Sequence, residues 1–343
     1  MRARRRYMPE PRTIGRRTTV WVAGVVLAGA AVATLVLERR GAERERRIMQ
    51  WVDERAGDPV ATVINAARGR RIVLLGDVMG APAPKRFAAA VIDSLARARR
   101  LDVVALEVSV DQQTWIDLYL ETNPEDATVL LAHPRALREG EGTGRALLDV
   151  YRAVWRANSA MGADRRIRIV AIDAPDWPPA AGISPARALA AFAQRDSFMV
   201  EALRRRVLER NPGARVLIFA DGVRAGRSGA RLATGGAPPF DVVWLAERLR
   251  AFESRGVLSV LVDARPGPGA TRPVAGYQPG WLHDVIRARM TVPRAGLGLR
   301  VPPDLDLEWD VLGGAGGPGI RVDAVPPGLT LADLIDVYVL LPF

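Results

Sequence analysis

Cysteine is absent from this chain of 343 residues, histidine occurs twice and lysine once. Without thiols the chain has no disulfide framework, no thiolate metal site and no lipid-modified cysteine anchor. The two histidines, His133 and His283, lie far apart and give none of the short spacings that bring imidazoles to one metal. Each is expected to be a surface or helix-capping residue. Lys85 stands alone against 48 arginines, which is expected to reflect an arginine-rich composition rather than a Schiff-base nucleophile. Ser109, Ser228 and Ser254 sit outside any Gly-x-Ser-x-Gly elbow, and no Walker or dinucleotide-binding fingerprint occurs.

Charge is present in excess, +11 overall, but it is unevenly distributed. Residues 1–47 hold 12 Arg against 4 Glu, which leaves 37 basic and 34 acidic side chains in the remaining 296 residues. That near balance removes nucleic acid as a general partner of the folded part. The basic terminus flanks residues 18–37, a run of 20 uncharged, mostly apolar residues. As a helix it would be about 30 Å long, enough to span a bilayer. The reading is a cytoplasmic basic tail (1–17), a membrane anchor (18–37), a charged juxtamembrane linker (38–58) and a single α/β domain (59–343) outside the cytoplasm. A cleaved signal peptide is the alternative, with Arg16-Arg17 as a twin-arginine cue and Ala31-Val32-Ala33 as a cleavage site. The run exceeds the ~7–15 residues of a signal core, which favours the anchor.

Beyond the linker, short β-branched runs alternate with longer amphipathic ones. Strands are expected at 72–75, 103–106, 167–172, 216–219, 258–262 and 335–341, with helices at 84–99, 111–120, 144–160, 185–209 and 242–255. Residues 48–67 also carry helical spacing. The alternation predicts an α/β fold with a largely parallel or mixed central sheet and helices on both faces. The Gly/Pro-rich stretches 226–239, 265–280 and 313–328 read as loops.

In an open parallel sheet the binding crevice lies beyond the carboxyl ends of the strands. Four acids fall there: Asp77, Glu107, Asp173 and Asp221. A helix-capping role accounts for single aspartates at such places. Glu107 fits that role poorly, since glutamate is a weak N-cap and it follows Val103-Val104-Ala105-Leu106 directly.

These residues also resemble a family. Gly76-Asp77-Val78-Met79-Gly80 aligns with the Gly-Glu-x-His-Gly loop of the erythromycin esterase-like, ChaN-type haem-binding and TIKI-type protease superfamily. Leu106-Glu107 matches its second motif, and Asp111 to Leu120 is similar to the ChaN-type helix that follows. Arg195-Asp196-Ser197-Phe198-Met199 matches an Arg-Asp-x-x-Met helix, and Ala220-Asp221-Gly222-Val223-Arg224 falls on the esterases' Ala-His-Asn-x-His. The tail, Leu334-Ile335-Asp336-Val337-Tyr338-Val339, looks like the Tyr-Asp-x-x-Val ending of that group. The resemblance implies an α/β domain with its site at the strand ends. The motif histidines are missing, however, replaced by Met79, Asp221 and Arg224. A thioether and a permanently protonated guanidinium serve neither as general base nor as zinc ligand.

The expected function is therefore a non-catalytic ligand-binding or scaffolding relative of these hydrolases, held at the membrane by its N-terminal helix. Its small-molecule pocket would comprise Asp77, Met79, Glu107, Asp173, Arg195, Asp196, Asp221 and Arg224, with an Arg224–Asp221 or Arg195–Glu107 pair in place of the catalytic constellation. Two alternatives stand beside it. One is a hydrolase using Asp77 and Glu107 as a carboxylate pair. The other is haem or metalloporphyrin binding through Tyr119, Tyr151, Met79 or a histidine. An oxygen-only site for Mg²⁺ or Ca²⁺ is open to the four strand-end acids, although Arg224 opposes it.

Overall fold

The computed structural model describes residues 39–77, 81–122, 141–162, 165–175, 185–234, 237–253, 256–264, 281–305, 307, 320–324 and 328–342. The chain divides after Arg47, and the compact unit that follows is Ile48–Phe343. The expected membrane segment, 18–37, lies outside the described residues. Among those described, no helix is long and apolar enough to cross a membrane.

The core of the domain is an eight-stranded sheet in the order β1-β9-β11-β8-β2-β5-β3-β4. Its strands are β1 (Ala56–Gly57), β2 (Ile72–Asp77), β3 (Val103–Ser109), β4 (Arg168–Asp173), β5 (Val216–Asp221), β8 (Val257–Asp263), β9 (Leu297–Arg300) and β11 (Val337–Leu340). All pairs from β11 to β4 are parallel, and only the edge pairs β1–β9 and β9–β11 are antiparallel. Strands of this kind are buried on both faces, so they read as unbroken apolar runs. In β2, Val73 and Leu75 join one hydrophobic cluster while Ile72 and Leu74 join the other.

Helices cover both faces. α1 (Pro59–Ala66), α2 (Pro82–Arg97), α3 (Gln113–Glu121) and α4 (Glu141–Ser159) supply Val63, Ile92, Ile116 and Val154 to the first cluster. α5 (Pro185–Leu203), its π-helical continuation Arg204–Leu208 and α6 (Leu245–Phe252) supply Met199, Leu203, Val207 and Leu249 to the second. A third cluster joins helical residues 48–55, through Ile48, Trp51 and Val52, to α7 (Trp281–Arg289) and to the short α8 (Leu331–Leu334) beside β9 and β11.

The structure revises some sequence expectations. The helical spacing over 48–67 is interrupted by β1, because Gly57 pairs with Gly298 and Asp58 then caps a new helix. The Asp58 carboxylate accepts from the Ala61 N–H at 2.7 Å, and Pro59 occupies the first turn, where a missing N–H costs nothing. Stretches 226–239 and 313–328, expected to be loops, contain β6 (Ala230–Thr234), β7 (Ala237–Val242) and β10 (Ile320–Ala324), which form a separate antiparallel sheet, β10-β6-β7. Glycine and proline concealed these strands. Pro238 and Pro239 fall within the irregular part of the β6–β7 pairing, where a residue lacking a donor is tolerated. Stretch 265–280 lies outside the described residues.

The exposed edge of the sheet at β4 is blocked by side-chain amides acting as a neighbouring strand would. Asn158 exchanges two hydrogen bonds with the Ile167 backbone, at 2.7 and 2.9 Å. Gln113 donates to the Ile169 carbonyl at 2.9 Å and accepts from the Ala171 N–H at 2.8 Å. Such covering protects an edge from pairing with another chain.

Candidate functional site

Asp77, Asp173 and Asp221 are the last residues of their strands and Glu107 is the third from the end of its own, so one end of the sheet gathers them all. A register shift in β3 aims the central one. Between Leu106 and Ser109, three residues of β3 advance against two of β4, leaving Glu107 and Val108 in a bulge. Bulges redirect side chains at strand ends. Here Glu107 turns toward α5 and the turn after β5.

Glu107 is the hub of the site. Oε1 accepts from Arg195 Nη2 at 2.6 Å, and Oε2 lies 2.9 Å from Arg224 Nε and accepts from the Asp221 N–H at 2.7 Å. Arg195 also grips Asp173 in a two-point contact, with Nε to Oδ1 at 3.0 Å and Nη2 to Oδ2. Arg224, fully buried, extends from Glu107 to Asp196 Oδ2 at 2.5 Å and lies over the Phe192 ring, 5.8 Å from its centroid. Arg195 and Asp196 share the inward face of α5 with Met199 and Leu203, one and two turns further along. That spacing is the physical content of the Arg-Asp-x-x-Met motif.

Gly76 makes the arrangement possible. A Cβ there would lie 2.7 Å from the Ala225 Cβ and 2.9 Å from the Gly222 Cα, so only glycine lets the 3₁₀ turn Gly222–Ala225 lie across β2 and carry Arg224 inward. Asp221 caps this turn by accepting from the Val223 N–H at 3.3 Å. The helix-capping reading of the strand-end acids thus holds for Asp221.

Ionisation follows from burial set against pairing. Burial would raise Glu107, but Arg224 and Arg195 outweigh it and hold the carboxyl below its usual range. Burial pushes Asp173 and Asp196 up despite their arginine partners. Burial and then the neighbouring Glu107 charge push Asp221 up to about 6. Burial opposes the charge on Arg224, yet Glu107 and Asp196 prevail and raise it above the ordinary arginine value.

Two placements, those of Arg224 and His283, differ from expectation. Arg224 pairs with Glu107 and Asp196 rather than with Asp221, while the expected Arg195–Glu107 pair is present. Lys85, which the sequence left unplaced, is buried. It is 2% exposed and donates to Asp77 Oδ2 at 2.6 Å and to the Ala81 carbonyl at 3.5 Å, one turn into α2. His283 is neither a surface nor a capping residue but fully buried, with Nδ1 3.0 Å from Asp263 Oδ2 and Nε2 accepting from Arg287 Nε at 2.9 Å. Tyr338 donates to the same Asp263 oxygen. Asp263 ends β8 as Asp77 ends β2, so it is a fifth strand-end acid. The rule that found the other four applies equally to the apolar run Val257 to Val262 that precedes it. Met79 and His133 lie outside the described residues.

Among the described residues, the donor set does not suit haem or a metal ion. Tyr119 and Tyr151 pack edge to face within the core, 6.0 Å between centroids, and both His283 nitrogens are engaged. Guanidinium groups occupy the space among the carboxylates, and no group of three or more His or acidic residues suited to a metal ion occurs among the described residues. A hard cation needs those oxygens free to coordinate it.

No family model matches the sequence, and no curated protein matches it. Solved structures do. The erythromycin esterase EreC, captured in its open conformation, superimposes with a TM-score of 0.52 at 13% identity, over 82% of this chain and 92% of that one. The fold is that of an erythromycin esterase. The type III effector HopBA1 matches at a TM-score of 0.43 and 15% identity, over 65% of this chain and 87% of its own. ChaN of Campylobacter jejuni, solved with cofacially bound haem, matches at 0.40 and 12%, over 59% and 84%. At these identities the erythromycin-esterase likeness concerns architecture alone, and chemistry has to be argued from the residues of this chain.

Proposed function

We propose that the domain is a non-catalytic ligand-binding or scaffolding protein built on the erythromycin-esterase fold, anchored by residues 18–37 with the domain on the extracytoplasmic side. The observation that supports this reading is the saturation of Glu107, whose two oxygens serve Arg195, Arg224 and the Asp221 N–H. A carboxylate so engaged, and held below its usual pKa range, is a poor proton acceptor near neutral pH. Asp77 is likewise ion-paired, to Lys85. A carboxylate pair divided into one base and one protonated acid needs environments that push the two apart. Here each faces its own cation.

Recognition falls to Asp221, which is half-buried at the strand ends. Around it, Glu107, Asp173, Asp196 and Asp221 outnumber Arg195 and Arg224 by two charges when all are ionised. The excess favours a small molecule carrying an ammonium group. The test uses the full chain in neutral detergent, measuring ester hydrolysis and the binding of small amines such as spermidine. No ester turnover, with amine binding that Asp221→Asn abolishes, is the expected result. Turnover lost in both Asp77→Asn and Glu107→Gln would replace this reading with a hydrolase.

A further inference from the structure

The amino ends of the central strands carry a second concavity, remote in the fold from the carboxylate cluster. It encloses about 950 Å³ between the end of α2, the end of α4, the start of β4 and the segment after the π-helical turn. Eight arginines and two aspartates line it. Both acids are already engaged, Asp102 by Arg215 at 2.9 Å and Asp93 by Arg156 at 3.1 Å. Arg97, Arg99, Arg166, Arg168 and Arg210 have no carboxylate within ion-pair distance among the described residues. The remainder of residues 48–343 holds 29 basic and 32 acidic side chains, so the domain's small positive excess is concentrated in this groove.

Helix ends explain part of this. The carboxyl ends of α2 and of the π-helical turn attract cations, which accounts for Arg97 and Arg210. They do not account for Arg166 and Arg168, which lie on the approach to β4. Nor do they account for Arg99, the one non-glycine residue with positive φ (+53°) among the described residues. That backbone conformation favours glycine or asparagine, so an arginine there is held against its local preference while its side chain lines the groove.

We propose that this groove binds a small oligophosphate anion. Guanidinium groups suit phosphate oxygens through paired N–H donors. Concavity selects the size of the partner: a bilayer is flat and duplex nucleic acid is broad, so either meets only the rim, whereas a short phosphate chain enters and reaches arginines from β4, α2 and residue 210 together.

The experiment is calorimetric titration of the full chain, in neutral detergent at low salt, with tripolyphosphate. Saturable binding is expected, weakened about tenfold or more by Arg166→Gln combined with Arg210→Gln. Both positions are exposed, so that variant should melt where the parent does without ligand. Asp221→Asn, at the other end of the sheet, should bind tripolyphosphate as the parent does. Arg99→Gly gives the sharpest reading, since relief of the backbone should raise the melting temperature while binding weakens. Absence of binding, equal affinity in the double arginine variant, or a higher melting temperature in Arg99→Gly with undiminished binding would overturn the proposal. So would tighter binding to duplex DNA, or to mixed micelles carrying phosphatidylglycerol rather than phosphatidylcholine, than to tripolyphosphate.

Discussion

The two ends of the central sheet use arginine in opposite ways. At the carboxyl ends, Arg195 and Arg224 are buried and encircled by Glu107, Asp173 and Asp196, so their charge is met within the protein. At the amino ends, Arg97, Arg99, Arg166, Arg168 and Arg210 stand in an open groove without acidic partners among the described residues. Buried pairs of the first kind are strongly destabilising to break, because the remaining charge is stranded away from water. Exposed arginines of the second kind contribute little to folding and much to the field that a ligand meets. The same residue type therefore serves architecture at one end and recognition at the other.

The contrast would break most visibly at Glu107. Replacement by Gln leaves Arg195 and Arg224 without their shared counter-charge and is expected to cost about 3–5 kcal/mol in urea unfolding. A change under about 0.5 kcal/mol would mean that the cluster is no more structural than a surface pair.

Asp221→Asn tests the same end through pH. Its pKa near 6 lies above the unfolded value of 3.8, so between those values the folded state binds more protons and stability falls as pH rises. At pH 8 the ionised carboxylate destabilises the fold by on the order of 2–3 kcal/mol. Asn retains the cap on Val223, so the variant should be more stable than the parent at pH 8 and match it near pH 4. A pH-independent difference in melting temperature would contradict that origin.

Gly76→Ala presses a methyl group against Ala225 and Gly222 and should cost about 1–3 kcal/mol by chemical denaturation. At the other end of the sheet, Arg166→Gln should change stability by less than about 0.5 kcal/mol. A larger loss would show that the amino-end arginines also hold the fold together, and the contrast would fail.

The central strands were legible because parallel strands buried on both faces leave long apolar runs, and each ends in the acid that the crevice rule points to. The chain partners of those acids were less so. Arg195 and Asp196 stood out as a motif, but that they face different partners depends on the bulge at Glu107 and on the close approach at Gly76, neither of which has a one-dimensional signature. His283 was misplaced, and Lys85 left unplaced, for a related reason. A solitary residue carries no periodicity, and its burial is decided by an acid, Asp77 or Asp263, supplied by a separate strand. The small sheet of β6, β7 and β10 was hidden by the glycine and proline that its irregular pairing accommodates.

The central claim is that Glu107 and Arg224 form a buried structural pair in place of a catalytic centre. A double-mutant cycle in urea, using Glu107→Gln, Arg224→Gln and the two combined, measures it directly. A coupling of about 2 kcal/mol is expected, the double variant losing less than the sum of the single losses by that amount. Additive losses, with no coupling between the two positions, would contradict it.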